Sequence, residues 1–211
     1  MSKPIVIGIS GAKQSGKNYG ADVIRRLANK MHLFTCEVAF ADPIKQMLIV
    51  GLGMQPSQFE TEEAKNTVDP RYGVTPRRLM QTLGTDWGRD MINQNLWLIR
   101  AQEQIDTTAV DIVLVTDVRF DNEAALVRQN ERGHIACIHP TIKHMTRDDH
   151  ASEAGISTYG FDYLIPNNFD ATYEIHLNTV FRDILAKYDR PTAEANHDRV
   201  SVQSRDRRPA N

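Results

Sequence analysis

"GAKQSGKN", Gly11–Asn18, follows directly on the apolar run Ile5-Val6-Ile7-Gly8-Ile9. The octapeptide fits G-x-x-x-x-G-K-[ST] at every fixed position but the last, where Asn18 replaces the hydroxyl residue and Tyr19 follows. In this motif glycines let successive backbone N–H groups turn inward onto phosphate oxygens, and the next helix adds its positive N-terminal end. A lysine at the position of Lys17 reaches the outer phosphates. Glycine and lysine at these spacings also arise by chance, so context decides. A buried strand over residues 4–9 precedes the loop. Residues 17–31 carry Tyr19, Val23, Leu27 and Met31 four apart, as one face of a helix does. Strand, glycine loop and helix in that order predict a phosphate site built from Gly11, Ala12, Lys13, Gln14, Ser15, Gly16, Lys17, Asn18 and Tyr19. An amide at Asn18 is a weaker magnesium ligand than a hydroxyl. Magnesium keeps several waters and leans on substrate phosphates, so a working site is compatible with it. The opposite reading is a loop that binds nucleotide without catalysis.

Downstream, strands and helices alternate. "CEVAFAD" predicts a strand ending at Asp42, and "DPIKQMLIVGL" a helix capped by Asp42 with Pro43 as its first residue. Residues 51–74 are rich in glycine, proline and charge and predict a loop or mobile insertion. "TPRRLMQTLGTDWGRDMI" predicts a helix capped by Thr75, with an apolar stripe (Leu79, Leu83, Trp87, Met91) and a polar one (Arg77, Gln81, Thr85, Arg89). Gly84 and Gly88 each cost a helix interior about 1 kcal/mol, so something should approach the backbone there. "VDIVLVTDVRF" predicts a central strand covered on both faces and ending in Asp117. A helix over 121–130, strands over 134–139 and 162–165, and a helix over 170–188 complete the pattern. Residues 189–211 lack periodicity and are expected to be a disordered tail. The fold class is therefore α/β: a three-layer α/β/α arrangement with a parallel sheet of about five strands in one domain over 1–188. It carries a helical insertion on the substrate side and a lid at about 140–157. Ligands bind such sheets beyond the carboxyl ends of the strands.

Several candidate residues sit at those ends. Asp117 stands where a carboxylate would hold magnesium or its water shell, and a strand-end capping role is its alternative. Arg119 offers a rigid fork of donors to a phosphate, with a surface ion pair as its alternative. The Arg77/Gln81/Thr85/Arg89 stripe, with Lys45, suits a second, anionic substrate, although a polar helix face is most often just solvated. Segment 140–155, with Lys143, Arg147 and His150, is where a closing lid would exclude water from a phosphotransfer. His139, His144, His150, Asp148 and Asp149 match no strong metal-ligand spacing.

Composition narrows the function classes. A chain of 211 residues with 41% hydrophobic and 25% charged residues is ordinary for one soluble domain. Its formal net charge of -2 argues against a nucleic-acid coat or membrane surface. No apolar run approaches the ~20 residues of a membrane span, and the N-terminus has no signal-peptide pattern. Cys36 and Cys137, each in an alternating apolar segment, predict two buried cytosolic thiols rather than a disulfide.

"FADPIK" (40–45), "TPRRLMQTLGTDWGR" (75–89), "TDVRFDNEA" (116–124), "HASE" (150–153) and "IPNN" (165–168) occur in the order found in phage-type deoxynucleoside monophosphate kinases. The chain resembles that family over roughly residues 4–186. The resemblance implies an adenylate-kinase-like fold and transfer of the γ-phosphate of ATP, with Mg2+, to a deoxynucleoside 5′-monophosphate. By the same resemblance Lys17, Asp117 and Arg119 would be catalytic, with Asp117 on the magnesium. Asp42, Lys45, Arg77, Gln81, Thr85, Arg89, Trp97 and Arg119 would serve the monophosphate, and Arg147, His150, Ser152 and Glu153 the lid. A cytoplasmic location, a homodimer, and no nucleic-acid or membrane partner are expected on that basis. Two alternatives stay open: another small-molecule kinase of this fold, such as a dephospho-coenzyme A kinase, and an ATP-dependent switch protein without a second substrate.

Overall fold

A computed structural model of the chain describes residues 3–141 and 160–188. Five parallel strands form one sheet: β1 (Ile5–Gly11), β2 (Thr35–Val38), β3 (Ile112–Val118), β4 (Gly133–Pro140) and β5 (Tyr163–Asn167), in the order β2-β3-β1-β4-β5. β1, the strand before the glycine loop, is central. Strand alternation sorts its side chains. Ile5, Ile7 and Ile9, with Ile112, Leu114, Ala136, Ile138 and Ile165, pack under α1 (Lys17–Lys30) and α7 (Ala171–Ala186). Val6, Val113, Val115 and Ile135 point the other way, toward α2 (Asp42–Leu52), α5 (Leu96–Thr107) and α6 (Asp121–Gln129). Both faces of the sheet are thus covered, which is why its strands read as unbroken apolar runs. The result is a three-layer α/β/α fold.

Several expectations are corrected. β2 stops at Val38, and Asp42 is the first residue of α2, not its cap; the cap position is Ala41, without a side-chain cap bond. The N–H groups of Phe40 and Ala41 are instead taken by the carboxylate of Asp117 on β3, at 2.9 and 3.0 Å. Residues 51–74 are ordered rather than a loop. They contain a 3-10 turn (Pro56–Phe59), the short helix α3 (Glu62–Asn66) and a bridge between Asp69 and Val74. Their organiser is buried Asp69, which accepts from the Arg71 side chain at 3.0 and 2.7 Å and from Gln58 at 2.9 Å. The Arg71 hydrogen bonds hold its carboxyl well below the usual aspartate range. α5 was not foreseen, although Trp97, Ala101 and Ile105, four apart and buried, carry its signal. Cys36 and Cys137 are free thiols and only half-buried. The expected tail (189–211) and nearly all of the expected lid, including Arg147, His150, Ser152 and Glu153, lie outside the described residues. Among the described residues no helix is long and apolar enough to cross a membrane.

The helix predicted from Thr75 onward has two parts. Thr75 caps α4 (Pro76–Gln81) as expected, its hydroxyl accepting from Arg78 N–H at 3.2 Å. The chain then widens into a π-helix over Thr82–Ile92. A four-residue step overshoots an α turn by roughly 40° and undershoots the wider π turn, so the two drifts oppose each other and Arg77, Gln81, Thr85 and Arg89 keep to one side. Leu79, Leu83 and Trp87 pack on the core, but Met91, one residue from the helix end, is 75% exposed. The glycines answer to close neighbours. A Cβ on Gly84 would meet Ile44 at 2.8 Å, and one on Gly88 would meet the Trp97 ring at 2.6 Å. Trp97 is itself fixed, donating its indole N–H to Gly84 O at 2.7 Å. Gly88→Ala is expected to lower stability by about 1–2 kcal/mol, although alanine is otherwise preferred over glycine in a helix by about 1 kcal/mol. A thermal melt with an unchanged or raised midpoint would contradict this close packing.

Candidate active site

The glycine loop leaves the carboxyl end of β1 and turns into α1. Gln14 takes φ 61° and Gly16 φ 93°, both left-handed, which points consecutive amides toward one side. Gly16 is required twice over: by that φ, and because a Cβ there would lie 2.5 Å from Asn167 Nδ2. Asn167, 1% exposed at the end of β5, donates to Ser15 O at 2.9 Å. The Tyr173 hydroxyl on α7 donates to Gly16 O at 3.0 Å, and burial raises its pKa, so it stays a donor. The loop is therefore propped from beneath by β5 and α7. Its inner side is polar. Ser15 Oγ is buried with no hydrogen-bond partner, and Lys17 Nζ is folded back onto the carbonyls of Gly11 and Ala12, at 2.6 and 2.7 Å. An orphaned hydroxyl beside an ammonium and turned-in amides fits a phosphate group.

Asn18 and Tyr19 are both exposed, at the start of α1. Tyr19 leans away from the loop interior: it hydrogen-bonds Glu174 and stacks near Tyr173, with centroids 6.0 Å apart. With Gly16, Asn167, Phe169, Asp170, Ala171, Tyr173 and Glu174 it lines a cavity of about 430 Å³ on the outer side of the loop.

On the other side lies a cavity of about 260 Å³. Its lining includes Arg77, Gln81, Thr85, Arg89, Trp97, Asp117 and Arg119, seven of the candidates picked out by sequence, together with Phe40, Met80, Phe120 and Glu123. Asp42 and Lys45 are not in it. They pair with each other at 2.8 Å on the first turn of α2, and their neighbours Ala41 and Ile44 line the wall instead. Asp117 is aimed by a slip in the sheet. Between the pairs Gly8–Val115 and Ser10–Val118, two residues of β3 oppose one of β1, a bulge of the sort that redirects side chains beside functional sites. Burial raises the pKa of Asp117, against the pull of the Phe40 and Ala41 amides and of Arg119.

Two acidic residues that sequence reading passed over set the arginines. Glu123, 2% exposed, takes the Arg89 guanidinium at 2.7 Å, and its other oxygen accepts from the N–H groups of Arg119 and Phe120, at 2.7 and 3.1 Å. Arg89 also lies over the Phe120 ring, 4.5 Å from its centre. Glu62 takes Arg77 at 2.6 Å. Glu123 and Asn167 both fall inside the quoted segments "TDVRFDNEA" and "IPNN", where the signal was present without a role attached. Among the described residues no three His, Cys, Asp or Glu side chains gather as a metal site. Asn18 at the end of the loop and Asp117 at the carboxyl end of β3, the strand beside β1, carry oxygen donors of the kind that suits magnesium.

A parallel sheet with a glycine loop after its central strand, and an arginine-lined cavity beside it, defines a member of the P-loop nucleotide-kinase superfamily. The signature of the "Deoxynucleotide monophosphate kinase" family matches residues 57–175, and the chain belongs to that family. A provisionally named deoxynucleotide monophosphate kinase of Acanthamoeba polyphaga mimivirus is 30% identical over 182 residues, covering 78% of this chain and 89% of that one. The deoxynucleoside-5′-monophosphate kinase of Escherichia phage T5 is 27% identical over 129 residues, covering 59% of this chain. The match spans 51%, about half, of the length of the phage T5 protein. Among solved structures, dephospho-CoA kinase from Campylobacter jejuni matches 87% of this chain and 98% of its own, with 12% identity and a TM-score of 0.39.

Proposed function

We propose that the protein transfers the γ-phosphate of ATP to a deoxynucleoside 5′-monophosphate. The observation that carries this reading is the cavity lined by Arg77, Arg89 and Arg119 at the carboxyl edge of the sheet. A second, anionic substrate has a place there, which a protein that only bound or hydrolysed ATP would not need.

The chemistry follows from the groups present. ATP lays its phosphates on the Gly11–Lys17 loop, where the amides and Lys17 balance their charge. Its nucleoside rests against the outer cavity between Tyr19, Phe169 and Tyr173. Asn18 and Asp117 would be the residues to hold a magnesium ion, which when bound would supply further charge neutralisation on the phosphates. The acceptor places its phosphate among the arginines, so that its oxygen lines up with the transferred group. Holding both in register removes most of the entropic barrier. The negative charge that spreads over the transferred group meets fixed cations rather than reorganising water. A phosphate oxygen is already ionised near neutral pH, so no strong general base is needed.

The test is coupled ADP release with ATP and magnesium, adding dAMP, dGMP, dCMP and dTMP separately and dephospho-coenzyme A as a control. ADP formation stimulated by one or more deoxynucleotides, with the diphosphate product detected, is the expected outcome. Stimulation by dephospho-coenzyme A alone would replace the acceptor. ATP turnover indifferent to every acceptor would identify a nucleotide-dependent switch.

A further inference from the structure

Glu62 stands on the short helix α3, and its carboxylate reaches two cations that belong to different half-sites. Oε2 lies 2.6 Å from Arg77 Nη2, a group of the arginine-lined cavity, and 3.1 Å from Nζ of Lys13, a residue of the glycine loop. Lys65 adds a third cation at 3.6 Å from Oε1, and Asn66 Oδ1 accepts from Arg77 Nε at 2.9 Å. One oxygen shared between a loop lysine and a pocket arginine marks the point where a single anion touches both halves of the site. Lys13 and Arg77 are each 29% exposed and Glu62 46%, so another anion can reach the same two cations. Lys17 is turned onto the loop's own backbone, whereas Lys13 Nζ reaches off the loop to Glu62 on α3.

We propose that Lys13 and Arg77 together form a seat for the phosphate of the acceptor, and that Glu62 fills this seat as a tethered stand-in until the acceptor displaces it. This rests on the phosphotransfer reading above and assigns Lys13 to the acceptor rather than the donor. It gives the ordered 51–74 segment a purpose. The segment carries a carboxylate that keeps two facing cations from repelling each other while the seat lacks substrate. Acceptor binding then detaches α3 from the loop.

A carboxylate that competes with the acceptor predicts a gain on its removal. Calorimetric titration of dAMP, dGMP, dCMP and dTMP in turn, without ATP, is expected to show about five-fold tighter binding to Glu62→Gln than to the unaltered protein, the scale of two exposed ion pairs no longer opposing it. Glu62→Ala should tighten binding in the same direction, whereas damage to α3 would weaken it. Lys13→Gln should weaken acceptor binding, with the affinity for a non-hydrolysable ATP analogue changing by less than about two-fold. Unchanged or weaker acceptor binding in both Glu62 variants, with the ATP analogue still bound, would overturn the seat and leave the kinase reading intact. So would a Lys13→Gln protein that loses the ATP analogue and keeps the acceptor. A protein that binds the ATP analogue but no monophosphate in any variant would remove both.

Discussion

Lys17→Met is expected to reduce phosphoryl transfer at least about 10³-fold, beyond the loss of a single uncharged donor to the reacting group, while the protein stays folded. Methionine keeps the length and apolar stem of lysine and removes only the ammonium. In the structure that ammonium bonds two carbonyls of its own loop, at 2.6 and 2.7 Å, so it reaches the loop interior. The loop's shape does not hang on it. Asn167 and Tyr173 hold Ser15 and Gly16 from beneath, and the left-handed turn at Gly16 is backed by packing. Stability should therefore fall by about 2–3 kcal/mol, the scale of charged hydrogen bonds, less than the total stability of a domain. Steady-state turnover and a thermal melt on the same preparation are the measurements. Undiminished turnover in a folded Lys17→Met protein would sink the assignment of this loop to the donor phosphates.

Arg89→Leu should fail in two ways at once. Arg89 neutralises Glu123, whose carboxylate is 2% exposed. Burial raises the pKa of Glu123, and the Arg119 amide and Arg89 are what offset it. Without the guanidinium a buried charge is left with one oxygen unpaired, a loss of about 3 kcal/mol, or a melting point lower by about 6–12 °C for a chain of this size. The sign with pH follows. A carboxyl whose folded pKa is raised favours folding when protonated, and that contribution is lost as pH rises through the folded pKa. The deficit of Arg89→Leu is thus widest at neutral pH and shrinks on acidification. Adding Glu123→Gln should recover most of the stability without restoring the positive charge that Arg89 brings to the cavity. In both proteins kcat/KM for the acceptor should stay about 100-fold down, the scale of a lost charged hydrogen bond. Full catalytic recovery in the double variant would mean that Arg89 serves only the fold.

The framework was legible because its signals are local. The apolar runs at Ile5–Ile9 and Ile112–Val115, the loop between strand and helix, and the Thr75-Pro76 start of α4 each depend on a few adjacent residues. The four-residue polar stripe does line a single cavity, although by a route the periodicity did not describe: an α turn continued by π turns. What sequence could not supply were partners distant along the chain. Glu62 pairs with Arg77 and Glu123 with Arg89 through tertiary packing, so spacing along one helix left both arginines without acidic neighbours. Asp117 bonds the turn before α2, which is why Asp42 proved not to be the cap its position suggested. The 51–74 segment has the composition of a loop, and its order comes from one buried aspartate gripping Arg71 and Gln58.

The place of β1 in the middle of the sheet has a consequence for how the chain is made. The central strand is synthesised before its partners, since both strands that flank it, β3 and β4, come from the second half of the sequence. At ordinary elongation rates the wait is on the order of ten seconds. Throughout that interval a stretch of isoleucine and valine has two open edges and nothing to pair with. A ribosome halted before Ile112 would display a nascent chain ready to associate with any other exposed strand. The demand for a rigid, central platform under the phosphate loop is met at the expense of late folding and a dependence on whatever shields that segment in the meantime.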